Sequence, residues 1–338
     1  MKGMHIHDLL VVGAGPAGLS AAIAAKQHQL ECQVLEQGVL VNSIYRFPRQ
    51  MIFFTTPDLL ELGGLPLVSP YEKPTRHEAL RYYRRVAESF SLDIVYGETV
   101  LNVTPNAEQM DGPVFAVESR SSRGVRRLRH ARAVVMAIGY YDRPNFIGVP
   151  GEDLPHVSHY YEEAHPYYLR RVVIVGGGNS AAETALELYR AGARVTLVHR
   201  HAELKSSIKY WVRPDIENRI KEGSIAARFN TRVVEIRPTD IVVEGPEGRE
   251  EMPADSVLLL TGYRADTELL LRAGVHCDAV TAKPELDPVT FETNVPGLFL
   301  AGGVVAGHDT SGIFIENGRF HGDAIVKVLH ERHVLARR

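Results

Sequence analysis

The chain has 338 residues, 45% hydrophobic and 23% charged, with a formal net charge of −3. That length suits about two domains with separate cores, and the near-balanced charge gives no electrostatic reason for nucleic acid or an anionic membrane to be the main partner. No run of roughly 18 apolar residues is present to span a membrane, and two cysteines, Cys32 and Cys277, cannot build a disulfide framework.

The N-terminal segment, residues 1–15, carries a short apolar run that leads straight into a glycine loop. It lacks the apolar region and cleavage site of a signal peptide, so the expected location is the cytoplasm. His5 and His7 are two residues apart with no third ligand in prospect, and no Cys/His cluster has zinc spacing, so no metal is expected. Asp8–Val12 reads as a buried strand, followed by the loop Gly13-Ala-Gly15-Pro16-Ala17-Gly18 and an Ala-rich helix ending near His28. Gly13 suits the tight turn, Gly15 lets the backbone approach a pyrophosphate, and Gly18 lets the helix pack on the strand. The next strand, Cys32–Leu35, ends at Glu36 and Gln37. A carboxylate there can accept hydrogen bonds from the ribose hydroxyls of an adenine dinucleotide.

An insertion covers residues 42–131. Within it Thr75–Phe90 reads as an amphipathic helix with Leu80, Tyr83, Val86, Ala87 and Phe90 on its inner face, opened by a Thr75/Glu78 capping box. Strands are expected around Val100 and at Val114–Ser119. The basic stretch Arg120–Arg132 reads as a solvated hairpin turn, with a docking patch for an acidic partner as the alternative. Ala133–Tyr140 is a buried strand ending in Gly139, a pattern repeated at Val257–Tyr263.

A second phosphate-binding device begins at Arg171–Val175, continues through Gly176-Gly-Gly178-Asn179-Ser180-Ala181 into a helix that carries Glu183 and ends near Ala191, and is followed by the strand Arg194–Val198. Where the first copy has its acid, this one has His199, followed by Arg200 and, nearby, Lys205. An acid would repel a ribose 2′-phosphate, whereas these cations attract it, so NADPH is expected over NADH. Arg200 and Lys205 as merely solvated loop residues is the plainer alternative. Thr293–Gly303 and a helix from near Gly312 through Gly322 close the chain.

Two dinucleotide sites in one chain imply that one nucleotide is a bound redox cofactor, and a flavin can take a hydride and release it as one or two electrons. The expected fold class is α/β: two Rossmann-like dinucleotide-binding domains of the three-layer ββα type, with the NADPH domain inserted in the FAD domain. The domains expected are 1–144 and 265–338 for FAD, and 145–264 for NADPH.

With these residues in hand, the whole chain resembles the low-molecular-weight thioredoxin-reductase-like flavoproteins, and more closely the YpdA-type bacillithiol-disulfide reductases. The carriers are Val41-Asn42-Ser43-Ile-Tyr45, Phe53-Phe54-Thr-Thr, Leu60-Glu-Leu-Gly63, Lys73-Pro-Thr-Arg76 with Glu78-Ala-Leu80, and Phe314-Ile315-Glu-Asn-Gly-Arg-Phe-His-Gly322. The resemblance implies an FAD- and NADPH-dependent bacterial reductase of bacillithiol disulfide, forming a homodimer or tetramer. It puts Asn42, Ser43, Gly139, Gly302, Gly303, Phe314 and Ile315 around FAD beside the first loop, and hinges near residues 140–150 and 263–266. Thioredoxin reductases carry a Cys-x-x-Cys pair where this chain has Val157–Tyr168 without a cysteine. YpdA-type enzymes carry a cysteine at the position of Ala17, and Gly303 replaces the aspartate common in the wider superfamily.

No side chain stands out as a general acid. The flavin itself carries the chemistry in this reading, with His159, His165 and Tyr160, in the segment that replaces the dithiol, as weak proton-donor candidates. Cys32 is expected as core and Cys277 as a surface residue beside His276, neither redox-active. The alternatives are a ferredoxin or flavodoxin–NADP reductase of the same type and a non-catalytic flavin redox sensor. Phe146-Ile-Gly148 with His156 only loosely matches a flavin monooxygenase motif.

Overall fold

The computed structural model describes residues 5–106, 114–310 and 312–336, so the first four residues of the N-terminal segment lie outside it. The chain divides into two units, residues 1–143 with 263–338, and residues 144–262.

In the first unit, β1 (Ile6–Val12) sends alternate side chains to two cores. Leu9 and Val11 pack with α1 (Pro16–Gln27), while Leu10 and Val12 join a core behind the sheet. Proline at the first helical position of α1 loses no needed N–H. β2 (Cys32–Glu36) runs parallel to β1, with Cys32 opposite Leu9. The insertion then supplies α2 (Asn42–Arg46) and α3 (Arg76–Ser89).

α3 opens with the expected Thr75/Glu78 capping box. Its buried face is Ala79, Tyr82, Tyr83 and Val86, so the helix is rotated from the expected set, and Leu80, Ala87 and Phe90 are only partly buried. Tyr82 can turn inward because its hydroxyl accepts from Leu62 N–H at 2.7 Å and donates to the Leu65 carbonyl at 2.8 Å.

β3 (Ile94–Tyr96), β4 (Glu98–Asn106), β5 (Val114–Ser121) and β6 (Arg126–Met136) complete the order β3-β2-β1-β6-β5-β4, parallel from β3 to β6 and antiparallel from β6 to β4. The basic stretch is therefore mostly strand, with the exposed hairpin turn confined to residues 122–125. The reason is cross-strand pairing. Arg127 and Arg129 lie 2.5 and 3.1 Å from the two oxygens of buried Glu98, and Arg126 lies 2.8 Å from Glu118. Two carboxylates thus engage three of the six arginines of this stretch.

The inserted unit contains β7 (Val157–Ser158), β8 (Arg171–Val175), α4 (Asn179–Arg190), β9 (Arg194–Val198), α5 (Arg213–Lys221), β10 (Ala226–Arg228), β11 (Arg232–Ile236), β12 (Asp240–Gly245), β13 (Gly248–Pro253) and β14 (Ser256–Leu259). A parallel sheet of order β10-β9-β8-β14-β7 and an antiparallel sheet β11-β12-β13 result. The chain then returns to the first unit through α6 (Thr267–Arg272), β15 (Leu298–Leu300) paired to β6, α7 (Ile315–Gly318) and α8 (His321–Ala336).

The single closing helix expected from near Gly312 is thus two. Asn317 Oδ1 accepts the Phe314 N–H at 2.9 Å to open α7, and Ser20 Oγ donates to the Arg319 carbonyl at the break. Gly322 lies against α1 so closely that a Cβ would be 2.3 Å from Ala21 N. Among the described residues no helix is long and apolar enough to cross a membrane.

Candidate functional site

The first candidate mouth forms at the carboxyl ends of β1 and β2. Gly13 has φ +106°, and a Cβ there would lie 2.5 Å from the Ala137 carbonyl oxygen, so turn and close approach both exclude a side chain. Gly15 faces open space and caps α1 without a side-chain bond, leaving the helix start suited to an anion. Glu36 is 5% exposed, and its two oxygens accept from Ala14 N–H and Gly38 N–H, both at 2.7 Å. Burial raises its pKa against the pull of those two bonds. Each oxygen keeps a second lone pair for a ribose hydroxyl, so the acid also braces the glycine loop, a role the sequence pattern did not reveal.

Val41, just before α2, has φ +47° while fully buried, an unusual state for a β-branched residue. Its N–H donates to the Ala14 carbonyl at 3.0 Å, which seats Asn42 and Ser43 beside the loop. Gln37 donates to Asp142 at 2.9 Å. Ala17 approaches Gly302 so closely that a Cβ on Gly302 would lie 2.7 Å from the Ala17 methyl. A Cβ on Gly303 would meet the Tyr140 ring at 2.5 Å, while Gly139 faces open space. Gly318 of α7 packs on Gly302, which brings the turn carrying Phe314 and Ile315 to the same region. Phe314 is partly exposed and meets Phe54 edge-to-face at 5.5 Å. Two uncapped glycine positions open to space, a bare helix start and a buried carboxylate fit the adenine, pyrophosphate and flavin parts of FAD.

His321 is a residue the sequence reading left without a role. It is buried, stacks on Phe291 at 3.9 Å, and its Nδ1 accepts from Gly302 N–H at 3.1 Å. Burial pushes its pKa down to about 4, so it stays neutral and able to accept.

The second mouth follows β8 in the inserted unit. Gly178 caps α4 without a side-chain bond. His199 is 5% exposed and lies over Gly177, where any Cβ would be 2.3 Å from its ring. Its Nε2 is buried with no hydrogen-bond partner, and burial, then His201, lowers its pKa. Gly177 accepts from Lys205 N–H at 2.9 Å, which draws the basic loop to the glycine turn. Asn179 bonds Ser207 and Lys209 at 3.0 and 2.9 Å, and Glu183 pairs with Lys209 at 2.5 Å. Asn179 and Glu183 therefore hold the loop as well as lining the helix start. Arg200, His201, Lys205 and Ser180 remain exposed, and Ala181 is buried against the strand. Lys209, His201 and Gly177 are the members that the sequence reading missed; they were within a few residues of the predicted ones. A bare helix start beside exposed cations fits the diphosphate and 2′-phosphate of NADPH.

His159 lies 3.4 Å from Glu152 and meets Phe146 edge-to-face at 4.8 Å, and burial lowers its pKa. Tyr160 N–H donates to Ser158 Oγ at 3.0 Å. They follow β7, at the sheet edge beyond β14, and His165 opens a short 3-10 turn. Cys32 stands at the start of β2, the end remote from Glu36, and burial pushes its thiol up to about 12. Burial also raises the Cys277 thiol, and its neighbour His276 is engaged by Glu285 at 2.9 Å. Neither cysteine is an activated thiolate. The expectation that His5 and His7 have no third group nearby is corrected: Glu31 lies 2.7 Å from His5 Nε2 and 3.3 Å from His7 Nδ1. Strand pairing, not sequence proximity, brings it there.

Residues 10–302 match the family described as pyridine nucleotide-disulphide oxidoreductase. The chain belongs to this family. It is 39% identical over 326 residues to the bacilliredoxin reductase Bdr of Bacillus subtilis, covering 96% of this chain and 97% of the relative. Its structure resembles the bacillithiol disulfide reductase Bdr (YpdA) of Bacillus cereus at 38% identity and TM-score 0.94, covering 97% of this chain and all of that one. The ferredoxin–NADP reductase of Ignicoccus hospitalis is more distant, 27% identical over 88% of this chain and 90% of its own. The chain is thus an oxidoreductase with the two-domain, thioredoxin-reductase-like α/β fold, using FAD and NADPH. The YpdA-type resemblance stands, and the ferredoxin reductases are the remoter kin.

Proposed function

We propose that this chain is a bacterial, cytoplasmic, homo-oligomeric NADPH:disulfide oxidoreductase whose acceptor is bacillithiol disulfide. The observation that carries the substrate is the full-length likeness to two Bdr proteins, one of them named for that disulfide. The start of α1, Glu36 and the loop at Gly302 hold FAD, and the start of α4 with Arg200 and Lys205 holds NADPH. When bound, FAD takes a hydride from NADPH and passes two electrons to the acceptor. One NADPH, one proton and one disulfide give NADP⁺ and two thiols, which balances the reaction.

The chain supplies no dithiol for this transfer. Ala17, at the position of the family cysteine, offers only a methyl group beside Gly302. The electrons therefore reach the small disulfide without a protein thiol at position 17.

The test is NADPH consumption by the purified yellow holoenzyme, with bacillithiol disulfide, ferredoxin, flavodoxin and oxygen in parallel. A disulfide-dependent rate well above the oxygen rate is expected. Reduction of the carrier proteins alone would overturn the substrate while leaving both cofactors in place, and no turnover with any acceptor would point to a flavin sensor.

A further inference from the structure

The amino ends of β1 and β2, opposite the edge that carries the FAD loop, hold a cluster that the redox reaction does not use. His5 and His7 are alternate residues of an extended chain and so project to one side. Glu31 immediately precedes β2, where its carbonyl accepts from Leu9 N–H at 3.0 Å and its N–H donates to Asp8 at 2.9 Å. These backbone bonds fix the carboxylate against the two imidazoles. The His5 and His7 rings meet edge-to-face at 4.5 Å, and the three ligand atoms lie within 4.8 Å of one another.

His7 supplies the second observation. It is 8% exposed, and its Nδ1 is buried with no hydrogen-bond partner, 3.3 Å from Glu31 Oε1. An unpartnered buried imidazole nitrogen costs free energy unless something binds it. In its neutral form the imidazole nitrogen offers a lone pair.

We propose that His5 Nε2, His7 Nδ1 and one Glu31 oxygen bind a divalent zinc ion, with water in the remaining position. Zinc held at about 2.0–2.1 Å by tetrahedral ligands separates those ligands by about 3.3 Å, the distance at which His7 and Glu31 already stand. The shorter His5–Glu31 contact is a direct hydrogen bond that the ion replaces. Two imidazoles and a carboxylate select zinc-like transition ions over magnesium or calcium. At this end of the sheet the ion braces the start of β1 against β2.

The test is calorimetric titration of untagged, chelator-treated holoenzyme with Zn²⁺, with Mg²⁺ as control, in wild type, His5→Ala and Glu31→Gln. Both substituted side chains are exposed, so folding is retained. One tight zinc equivalent is expected in wild type, weakened at least tenfold in each variant, with a zinc-dependent rise in Tm seen only in wild type. NADPH oxidation without zinc should be the same in all three. Equal zinc affinity in wild type and variants would overturn the site, placing any binding on other histidines, and so would Mg²⁺ binding as tightly as Zn²⁺.

Discussion

His321 links a single protonation state to the shape of the FAD mouth. Its Nδ1 accepts from Gly302 N–H, so a protonated ring would lose that bond while buried against Phe291. Its pKa falls from 6.5 to about 4 on folding, so on acidification the unfolded chain takes up the proton first. The stability it contributes is complete above about pH 6.5 and is lost as the pH falls toward 4. From this residue alone, unfolding should become easier by about 2 kcal/mol between pH 7 and pH 5. Urea denaturation at the two pH values checks this: His321→Asn should flatten the difference, and an unchanged pH dependence would contradict the assignment. Glu36 is the complementary case. Glu36→Ala should weaken FAD binding about tenfold to a hundredfold, from the loss of charge-assisted hydrogen bonds, read as FAD released on gel filtration. Glu36 was legible because strand, loop and acid keep fixed spacing. His321 was not, since its partner lies in a distant turn that only tertiary structure brings near.

At the scale of elements, α1 and α8 pack through Gly322, where no Cβ fits beside Ala21. Gly322→Ala should destabilise the protein by about 1–3 kcal/mol through overpacking, seen as a lower Tm; an unchanged Tm would mean that the helices part freely. In the inserted unit, the loop from Arg200 to Lys209 is pinned by Gly177, Asn179 and Glu183, which leaves Lys205 exposed beside Gly178. Lys205→Ala should raise KM for NADPH about tenfold, the order expected for one charge-assisted phosphate contact, and leave KM for NADH unchanged. Equal effects on both nucleotides would remove the 2′-phosphate role. Both βαβ units were readable because apolar strands, glycine turns and helices follow in order. β6 was read as a turn because its arginines resemble a solvated loop until Glu98 and Glu118 are seen across the sheet. The break before α8 depends on Ser20 bonding Arg319, a contact with no local sequence signal.

For the whole molecule, the repeat of the phosphate-binding device carried the two-nucleotide reading, and the motifs from Val41 to Gly322 carried the subfamily. The acceptor was the least legible part, because Ala17 and the cysteine-free segment 157–168 remove the residues that usually mark a thiol relay. The central claim is that electrons pass to a small disulfide without a protein dithiol. The most direct measurement is an anaerobic NADPH titration of the holoenzyme followed by bacillithiol disulfide. Complete bleaching of the flavin with one NADPH per FAD, then recovery of its absorbance with two thiols released, is the predicted result. Uptake of a second NADPH per FAD, revealing a hidden dithiol, or a flavin that the disulfide leaves reduced, would contradict it.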